Sequence, residues 1–389
     1  MEQVVLTRCA GYELPQLRHR VGELLAPLGG MGRFVRPGQR VLLKPNMLAA
    51  KRPEAAVTTH PALVQAVGEL VQEAGGEVLI GDSPGIGSLE RVAERCGIAS
   101  VAGALGARLI AFQTIDQVAG GGTFRQLELS REFLAADVVI NLPKLKTHEM
   151  MTMTCGVKNL YGAVVGTAKA GLHLTAGRSR ELFAGLLLEI AQARQVALTI
   201  VDALVAMEGD GPNSGTPRQL GLLVAGLNPV AVDLVAARLI GIPTELLPIE
   251  QEARRRGIQG ARWEEIELLG EPFVPEAAPF RLPQGLDPQF GLPRPLQHLL
   301  RRYLTPLPAA DRERCVQCGV CRDACPPGAI TLTKNALKVD SGRCIRCWCC
   351  RELCPHHALM VRRSLLLRLL RGKRGLHHPS SSSPRGISR

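Results

Sequence analysis

The sequence predicts an α/β fold in which a mostly parallel sheet is flanked by helices. Between residues 1 and 270, short runs of β-branched residues alternate with amphipathic segments of helical period, which is the pattern of parallel α/β sheets. The chain has 389 residues, 46% of them hydrophobic, and can therefore bury a large core. A proline-rich linker or arm at 271–311, a cysteine-rich domain at 312–360 and a basic tail at 361–389 follow.

Individual elements are predicted from the period of the apolar residues and from the residues that interrupt it. Strands are predicted at 39–44, 77–80, 137–140, 197–201 and 220–225. Helices are predicted at 61–74, 88–96, 179–193 and 229–240. The most apolar window, 220–242, contains Asn228, Pro229, Asp233 and Arg238. We therefore interpret it as a buried strand, turn and helix and not as a membrane span.

Nine of the twelve cysteines lie between Cys315 and Cys354, in two runs of the same form. In each run the cysteines are separated by two, two and three residues, and a proline follows the fourth. Such runs are typical of proteins with two 4Fe–4S clusters, in which the fourth cysteine of each run binds the other cluster. The spacing therefore predicts one set of Cys315, Cys318, Cys321 and Cys354, and a second set of Cys344, Cys347, Cys350 and Cys325.

The segment between the runs is predicted to be a hairpin, with strands at 329–333 and 336–340 and a turn at Lys334 and Asn335. It would join the runs into a small α+β domain of the bacterial-ferredoxin type. Zinc and disulfides are the alternatives, but zinc sites usually present cysteine pairs and disulfide frameworks belong to small secreted domains. Cys349 lies outside the pattern, and the sequence leaves it open as a spare ligand, a thiol near a cluster or a bystander.

Polar side chains follow several of the predicted strands, at the edge where open α/β sheets bind ligands. These residues are Lys44, Asn46, Asp82, Ser83, Lys144, Lys146, His148 and Asp202. Lys158 and Asn159 follow in a glycine-rich loop. The lysines and the histidine suit a small anionic substrate with a carboxylate or phosphate. A solvated basic loop, or ordinary turn and cap residues, would give the same pattern.

Two acids, Glu208 and Asp210, lie near a further predicted strand end. They could bind a divalent cation, donate protons or pair with the lysines. The glycines at 120–122 lack the lysine that follows a phosphate-binding P-loop, so no nucleotide site of that kind is predicted.

The formal charge of +12 is concentrated in the tail, because residues 361–389 contribute eight basic residues and no acid. Aromatic residues make up only 3% of the chain, so nucleic acid is not an expected partner. The start of the chain has no basic flank followed by an apolar core, and the cysteine runs suit a reducing compartment, which together predict a cytoplasmic location. The tail is expected to be disordered, with weak membrane-surface contact as one role.

Several ordered motifs resemble the proteins grouped as domain of unknown function 362. These motifs are Lys44-Pro45-Asn46, Gly81-Asp82-Ser83-Pro84, 143–148, 158–162, 207–212 and 228–233. The resemblance extends to about residue 360 and includes the second cysteine run. Many of these proteins carry a C-terminal two-cluster ferredoxin module, so the resemblance implies a pocket-bearing α/β domain joined to such a module. It implies no particular substrate.

The joining of cysteine runs to a polar pocket predicts an iron–sulfur oxidoreductase served by an external redox protein or electron carrier. Lysines 44, 144, 146 and 158 would hold the charge of the ligand, and His148, Asp202 and Lys144 are the catalytic candidates. Two alternatives stay open: a ferredoxin-like carrier whose large domain docks partners, and a ligase-type enzyme without net redox change.

Overall fold

The computed structural model describes residues 1–85, 87–124, 126–166, 169, 172, 179–276, 278–283, 306–333 and 336–362. The predicted turn at 334–335, the part of the proline-rich segment at 284–305 and the tail from residue 363 lie outside the described residues. Within them, no helix is both long enough and apolar enough to cross a membrane.

The α/β domain is built on one large mixed sheet. In chain order, the strands of this domain are β1 (Glu2–Arg8), β2 (Arg40–Pro45), β3 (Glu77–Asp82), β4 (Arg108–Ala111), β5 (Ile115–Ala119), β6 (Gln126–Ser130), β7 (Val138–Leu142), β8 (Lys144–His148), β9 (Thr152–Thr154), β10 (Leu198–Glu208), β11 (Thr216–Gly226) and β12 (Ile266–Gly270). The order across the sheet is β12-β1-β11-β10-β7-β2-β3-β4, with β8 beside β10 and β9 beside β8. The strands from β10 to β4 are parallel, and β11 is antiparallel to both neighbours. The predicted, mostly parallel α/β sheet is confirmed.

Helices cover both faces of this sheet. They are α1 (Leu14–Leu25), α2 (Met31–Phe34), α3 (Pro61–Glu73), α4 (Leu89–Cys96), α5 (Ile98–Leu105), α6 (Arg131–Leu134), α7 (Gly156–Asn159), α8 (Arg180–Ala193), α9 (Pro229–Leu239) and α10 (Pro248–Arg255). Alternation along β2 separates two cores, because Val41 and Leu43 pack with α1, α3, α4 and α5, whereas Leu42 packs with α7 and α8. Asn228 caps α9 by accepting from the Val230 amide at 2.9 Å.

Two of the predicted elements differ from the structure at the centre of the sheet. No strand was predicted at 144–148, but these residues form β8, and the strand predicted to end at Val201 continues to Glu208. Asp202 therefore lies within β10, next to a bulge between Ala203 and Val205. An aspartate is tolerated inside a buried strand because Lys144 of β8, the strand alongside, neutralises it.

The cysteine-rich module is a small α+β unit. Its elements are β13 (Leu307–Ala310), α11 (Val320–Asp323), β14 (Ile330–Thr333), β15 (Ala336–Val339), α12 (Cys349–Glu352) and β16 (Leu359–Arg362). β14 and β15 form the predicted antiparallel pair, and β13 pairs with β16, so that the two ends of the module meet. A short helix follows the second cysteine of each run.

A close approach holds the segment after α7 against the carboxyl ends of β2 and β3. There the Lys44 ammonium donates to Asp82 at 2.8 Å, and both side chains are buried. Gly162 lies so near this ion pair that an added Cβ would be 2.9 Å from Cε of Lys44 and closer still to the Asp82 carboxylate. Only glycine fits without displacing a buried charge.

We predict that Gly162→Ala destabilises the protein by about 1–3 kcal/mol, because overpacking would force the buried pair apart. Thermal unfolding under anaerobic conditions measures this effect. The matched control is Gly103→Ala in α5, where an added Cβ meets no atom within 4 Å and should stabilise the helix by up to about 1 kcal/mol. Equal melting temperatures for the two variants would contradict the prediction.

Two further buried acids make the stability of the folded protein depend on pH. Glu250 of α10 is fully buried, and burial, with the nearby Asp233 carboxyl, raises its pKa well above the ordinary value. Burial also raises the pKa of Asp233 to about 7, although the Gly156 and Val157 amides donate to it. Both acids ionise near pH 4 in the unfolded chain, so stability is full at low pH and is lost as pH rises towards the folded values.

We expect the melting temperature to fall between about pH 5.5 and about pH 8, and to fall less in Glu250→Met, which removes one of the two acids at similar volume. Calorimetric melting at both pH values measures the difference. Glu94→Met is the control, because it makes the same substitution at an exposed position of α4. An unchanged pH dependence in Glu250→Met would refute the prediction.

Candidate functional site

The first predicted cysteine set surrounds one cavity of the module. Cys315, Cys318, Cys321 and Cys354 all line it, together with mainly apolar residues such as Leu332 and Leu359. Burial raises the pKa of the Cys321 thiol to about 11, and the neighbouring thiols of Cys354, Cys315 and Cys318 add to the rise. The fourth cysteine of the second run therefore lies with the first three of the first run.

The second set is grouped in the same way. Burial raises the pKa of the Cys350 thiol well above its ordinary value, and the largest contributions from neighbours come from Cys347, Cys344 and Cys325. Four thiols that share a desolvated site oppose each other's ionisation, and bound metal reverses this because coordinating thiols are deprotonated.

The backbone supports both sets symmetrically. The amide of Ala329 donates to Sγ of Cys325 at 3.2 Å, and the amide of Ala358 donates to Sγ of Cys354 at 3.3 Å. Left-handed residues also recur at corresponding positions of the two runs: Gln317 and Arg346, Gly319 and Trp348, Gly328 and His357. These turns wrap each loop around its cysteines, and amide donors to sulfur are a usual feature of iron–sulfur sites. The residues therefore fit 4Fe–4S clusters.

The disulfide alternative for the cysteines finds no support in this geometry. All twelve cysteines lie within the described residues, and none forms a disulfide.

A polar pocket lies between the α/β domain and the module, with a cavity of about 440 Å³, a volume typical of small-molecule sites. Of the residues singled out from the sequence, its lining contains Asn46, Asp82, Ser83, Lys146, His148, Lys158 and Asn159. The module contributes Asp323, Ala324, Cys349 and Leu353. The strand-end residues and the helix that carries Cys350 thus line one cavity.

His148 has a defined tautomer. Its Nδ1 accepts hydrogen bonds from the amides of Met150 at 3.0 Å and Met151 at 3.2 Å. In the neutral imidazole the proton is therefore on Nε2. The buried ring offers a hydrogen-bond donor at Nε2, and its backbone partners hold it in place.

Lys146 is held by an amide network that starts at the pocket and continues into the sheet. Its ammonium donates to Oδ1 of Asn46 at 2.8 Å and to the Val57 carbonyl at 2.6 Å. Asn46 donates to Asn159, which donates to Asn141, each at 2.8 Å. This network fixes the orientation of each amide, so the lysine has a preset position.

Lys169 and Thr154 are among the pocket residues that were missed from the sequence. Lys169 donates to the carbonyl of Ser83, and burial lowers its pKa to about 8, with Lys44 and Lys158 contributing and Asp82 opposing. Thr154 is buried, and its hydroxyl has no hydrogen-bond partner among the described residues. Neither residue lies in a local pattern; the glycine-rich loop was the only signal near Lys169.

Three predicted residues lie outside this lining, in buried ion pairs. Lys44 pairs with Asp82 behind the pocket wall. Lys144 donates to Asp202 at 2.9 Å and to the Tyr12 hydroxyl at 3.1 Å, and burial lowers the pKa of this lysine. Tyr12 in turn donates to Asp202 at 2.7 Å. Lys144 and Asp202 neutralise each other, and neither of these two catalytic candidates lines the pocket that contains His148.

The two acids near the end of β10 are also engaged by cations. Glu208 pairs with Arg218 at 3.1 Å and with Arg281 at 2.8 Å. Asp210 accepts from Arg351 of α12 at 3.0 Å, and Arg351 also pairs with Glu149. The arrangement supports pairing with basic side chains, one of the roles left open by the sequence, but with arginines in place of lysines. Arg351 thereby ties the module to the loop that follows His148.

Comparisons with known proteins agree with this organisation. A family model described as "Domain of unknown function (DUF362)" matches residues 41–238, and a 4Fe-4S binding domain model matches residues 308–331. The thylakoid-associated protein sll1697 of Synechocystis sp. is 41% identical over 304 residues, which are 78% of this chain and 95% of that protein.

Among solved structures, the lactate racemase apoprotein from Thermoanaerobacterium thermosaccharolyticum matches with a TM-score of 0.42 and 13% identity, over 61% of this chain and 56% of that one. The sequence matches are far stronger than this structural one. On their basis, this chain belongs to the family of domain of unknown function 362 and carries a C-terminal 4Fe–4S binding domain.

Proposed function

We propose that this protein is an oxidoreductase that transfers electrons, through two 4Fe–4S clusters, between an external carrier and an anionic ligand in the pocket. One observation carries the proposal: the pocket wall combines the strand-end residues with Cys349 and Leu353, which flank Cys350 and Cys354 of the two cysteine sets. A ligand there would be next to both sets. Separate electron-carrier and ligand-binding functions would not require this shared wall.

The polar groups of the pocket favour an anion. Lys146, Lys158 and Lys169 supply ammonium groups, and His148 and Thr154 supply further donors. The lining carboxylates are already engaged, since Asp82 pairs with Lys44 and Asp323 pairs with Arg322 at 2.8 Å. A carboxylate or phosphate group is the ligand chemistry that such donors recognise.

The roles of the individual residues follow from these contacts. A bound 4Fe–4S cluster accepts and releases single electrons. Lys146 and Lys158 would hold the ligand's charge, and Nε2–H of His148 would donate a hydrogen bond or a proton to the reduced group. Lys169, whose pKa of about 8 lies near neutrality, is a second proton donor in the same cavity.

We also propose a reducing location on the cytoplasmic side of a membrane surface. Thiolate-bound clusters suit a reducing compartment. The name of the relative from Synechocystis, a thylakoid-associated protein, supports peripheral contact, for which the basic residues from 361 onwards are the proposed segment.

The first test is the metal content and its cysteine ligands. Anaerobically prepared protein should contain roughly eight iron atoms per chain if both sets bind 4Fe–4S clusters. Cys318→Ser and Cys347→Ser should each lose about half of this iron, because each removes one ligand from a different set. Iron analysis and electron paramagnetic resonance of the reduced protein measure the result.

Cys349→Ser is the matched control and should keep all of the iron, since Cys349 belongs to neither set. A control that loses iron would show that Cys349 replaces one of the assigned ligands. Protein that binds zinc alone would remove the basis for electron transfer altogether.

The second test is anion binding, with sulfate as a probe whose charge is constant near neutrality. The double variant Lys158→Gln/Lys169→Gln should bind sulfate at least about tenfold more weakly, by loss of two charge-assisted contacts. In the unaltered protein, affinity should fall as pH rises through about 8, because Lys169 is charged below its pKa and neutral above it. Isothermal titration calorimetry measures both effects.

Lys338→Gln, at an exposed position of β15, is the control and should leave sulfate affinity unchanged. A pocket double variant with unaltered affinity would support the competing carrier function, in which the large domain only docks partners.

A further inference from the structure

The two cysteine sets differ in their access to solvent. Cys318 of the first set is exposed and Cys315 is half-buried. In the second set, Cys325 is half-buried, whereas Cys344, Cys347 and Cys350 are buried, and Cys347 belongs to the same hydrophobic cluster as core residues of the α/β domain such as Leu160. The first set is therefore the one that an external molecule can approach.

Next to the first set, the surface exposes both apolar and basic side chains. Val316 is 61% exposed and Met360 is 49% exposed, and these are two of the few large apolar side chains that the described residues expose. Lys51, Arg314, Met360 and Arg362 line one groove there. We call this the cysteine-loop surface and define it by Lys51, Arg312, Arg314, Val316, Met360 and Arg362.

The charge of this surface is positive. Its acids are Glu313, which is exposed, and Asp311, which pairs with Arg314 at 3.7 Å. Asp210 also lines the groove, but Arg351 pairs with it. Four basic residues therefore outweigh two acids. An apolar centre with a charged rim is the usual anatomy of a transient protein interface, and the rim charges set the association rate.

We propose that the cysteine-loop surface docks an acidic one-electron carrier protein, which exchanges electrons with the protein at the first cysteine set. The inference rests on the proposed electron-transfer function and adds the entry point and the charge of the partner. The step transfers one electron, so the carrier is oxidised as the module is reduced, and no bond is made or broken. The second set, with three buried cysteines, and the pocket lie on the side of the module that faces the α/β domain.

The experiment uses the complete protein with its clusters and a small acidic plant-type ferredoxin as the probe. Binding is measured by calorimetry, and electron exchange by anaerobic stopped-flow absorbance in both directions, so that neither protein's potential decides the outcome. Arg314→Glu/Arg362→Glu should lower affinity and the second-order rate at least tenfold at low salt. The difference should shrink at high salt, where charges are screened.

The matched control is Arg36→Glu/Arg108→Glu, which makes the same change in net charge. Both control arginines are exposed and lie near the amino ends of β2 and β4, at the opposite edge of the sheet from the pocket. This variant should keep at least half of the unaltered rate. An equal loss in both double variants, or a loss in neither, would overturn the proposal.

Two further measurements distinguish the docking proposal from membrane binding and from the proposed pocket function. If Arg314→Glu/Arg362→Glu instead abolishes binding to phosphatidylglycerol vesicles and leaves ferredoxin exchange unchanged, the surface contacts membranes and the docking proposal is wrong. Photoreduction by deazaflavin, which needs no docking site, should be equal in all variants. If the clusters are reduced normally in this assay but show no response to sulfate, the pocket function is refuted and the docking proposal is unaffected.

Discussion

Charge burial at the carboxyl ends of the strands is the constraint on which the site depends. Lys44 and Lys144 are both buried, and each is paired with an aspartate, Asp82 or Asp202. Removing one partner of such a pair costs about 3–5 kcal/mol, because the other charge stays buried without compensation. These two lysines therefore hold the sheet ends together, and the cations that line the pocket are Lys146, Lys158 and Lys169. Lys44 and Lys144 are therefore structural, because a carboxylate lies within reach of each ammonium group, and the other three lysines line the pocket.

A second buried cation sets how the module lies against the α/β domain. Arg351 follows Cys350 in the chain, and it contacts Glu149 and Asp210 across the interface. Its burial lowers its pKa to about 10, so it remains charged at neutral pH. Because Glu149 directly follows His148, the Arg351 side chain connects α12, which carries Cys350, to the residue whose Nε2–H is the donor in the pocket. The shared wall is thus held by electrostatics as well as by packing.

The parts of the structure that could be predicted from sequence are those with a local signature. Periodicity located β2, β3, α3 and α9 to within a few residues, and cysteine spacing predicted both sets of thiols that the module brings together. β8 was missed because its buried Lys-Leu-Lys-Thr-His run lacks apolar alternation and is stabilised by pairing with β10. Lys169 and the Lys144–Asp202 pair depend on contacts between distant segments, which no local pattern reports. The pocket residues from the strand ends of the α/β domain could therefore be predicted, whereas the wall that the module contributes could not.

The difference in burial between the cysteine sets has a consequence for how each is tuned. Both fourth cysteines accept one amide hydrogen bond of nearly equal length, so this contact cannot distinguish the sets. The sets can differ in solvent exposure and in nearby charge, and both affect the potential of a thiolate-bound cluster. The first set is exposed at Cys318, whereas the second has three buried cysteines and lies beside Arg351. Under the proposed electron-transfer function, burial disfavours added negative charge at the second set, and Arg351 offsets little of that cost because it is already paired with Glu149 and Asp210.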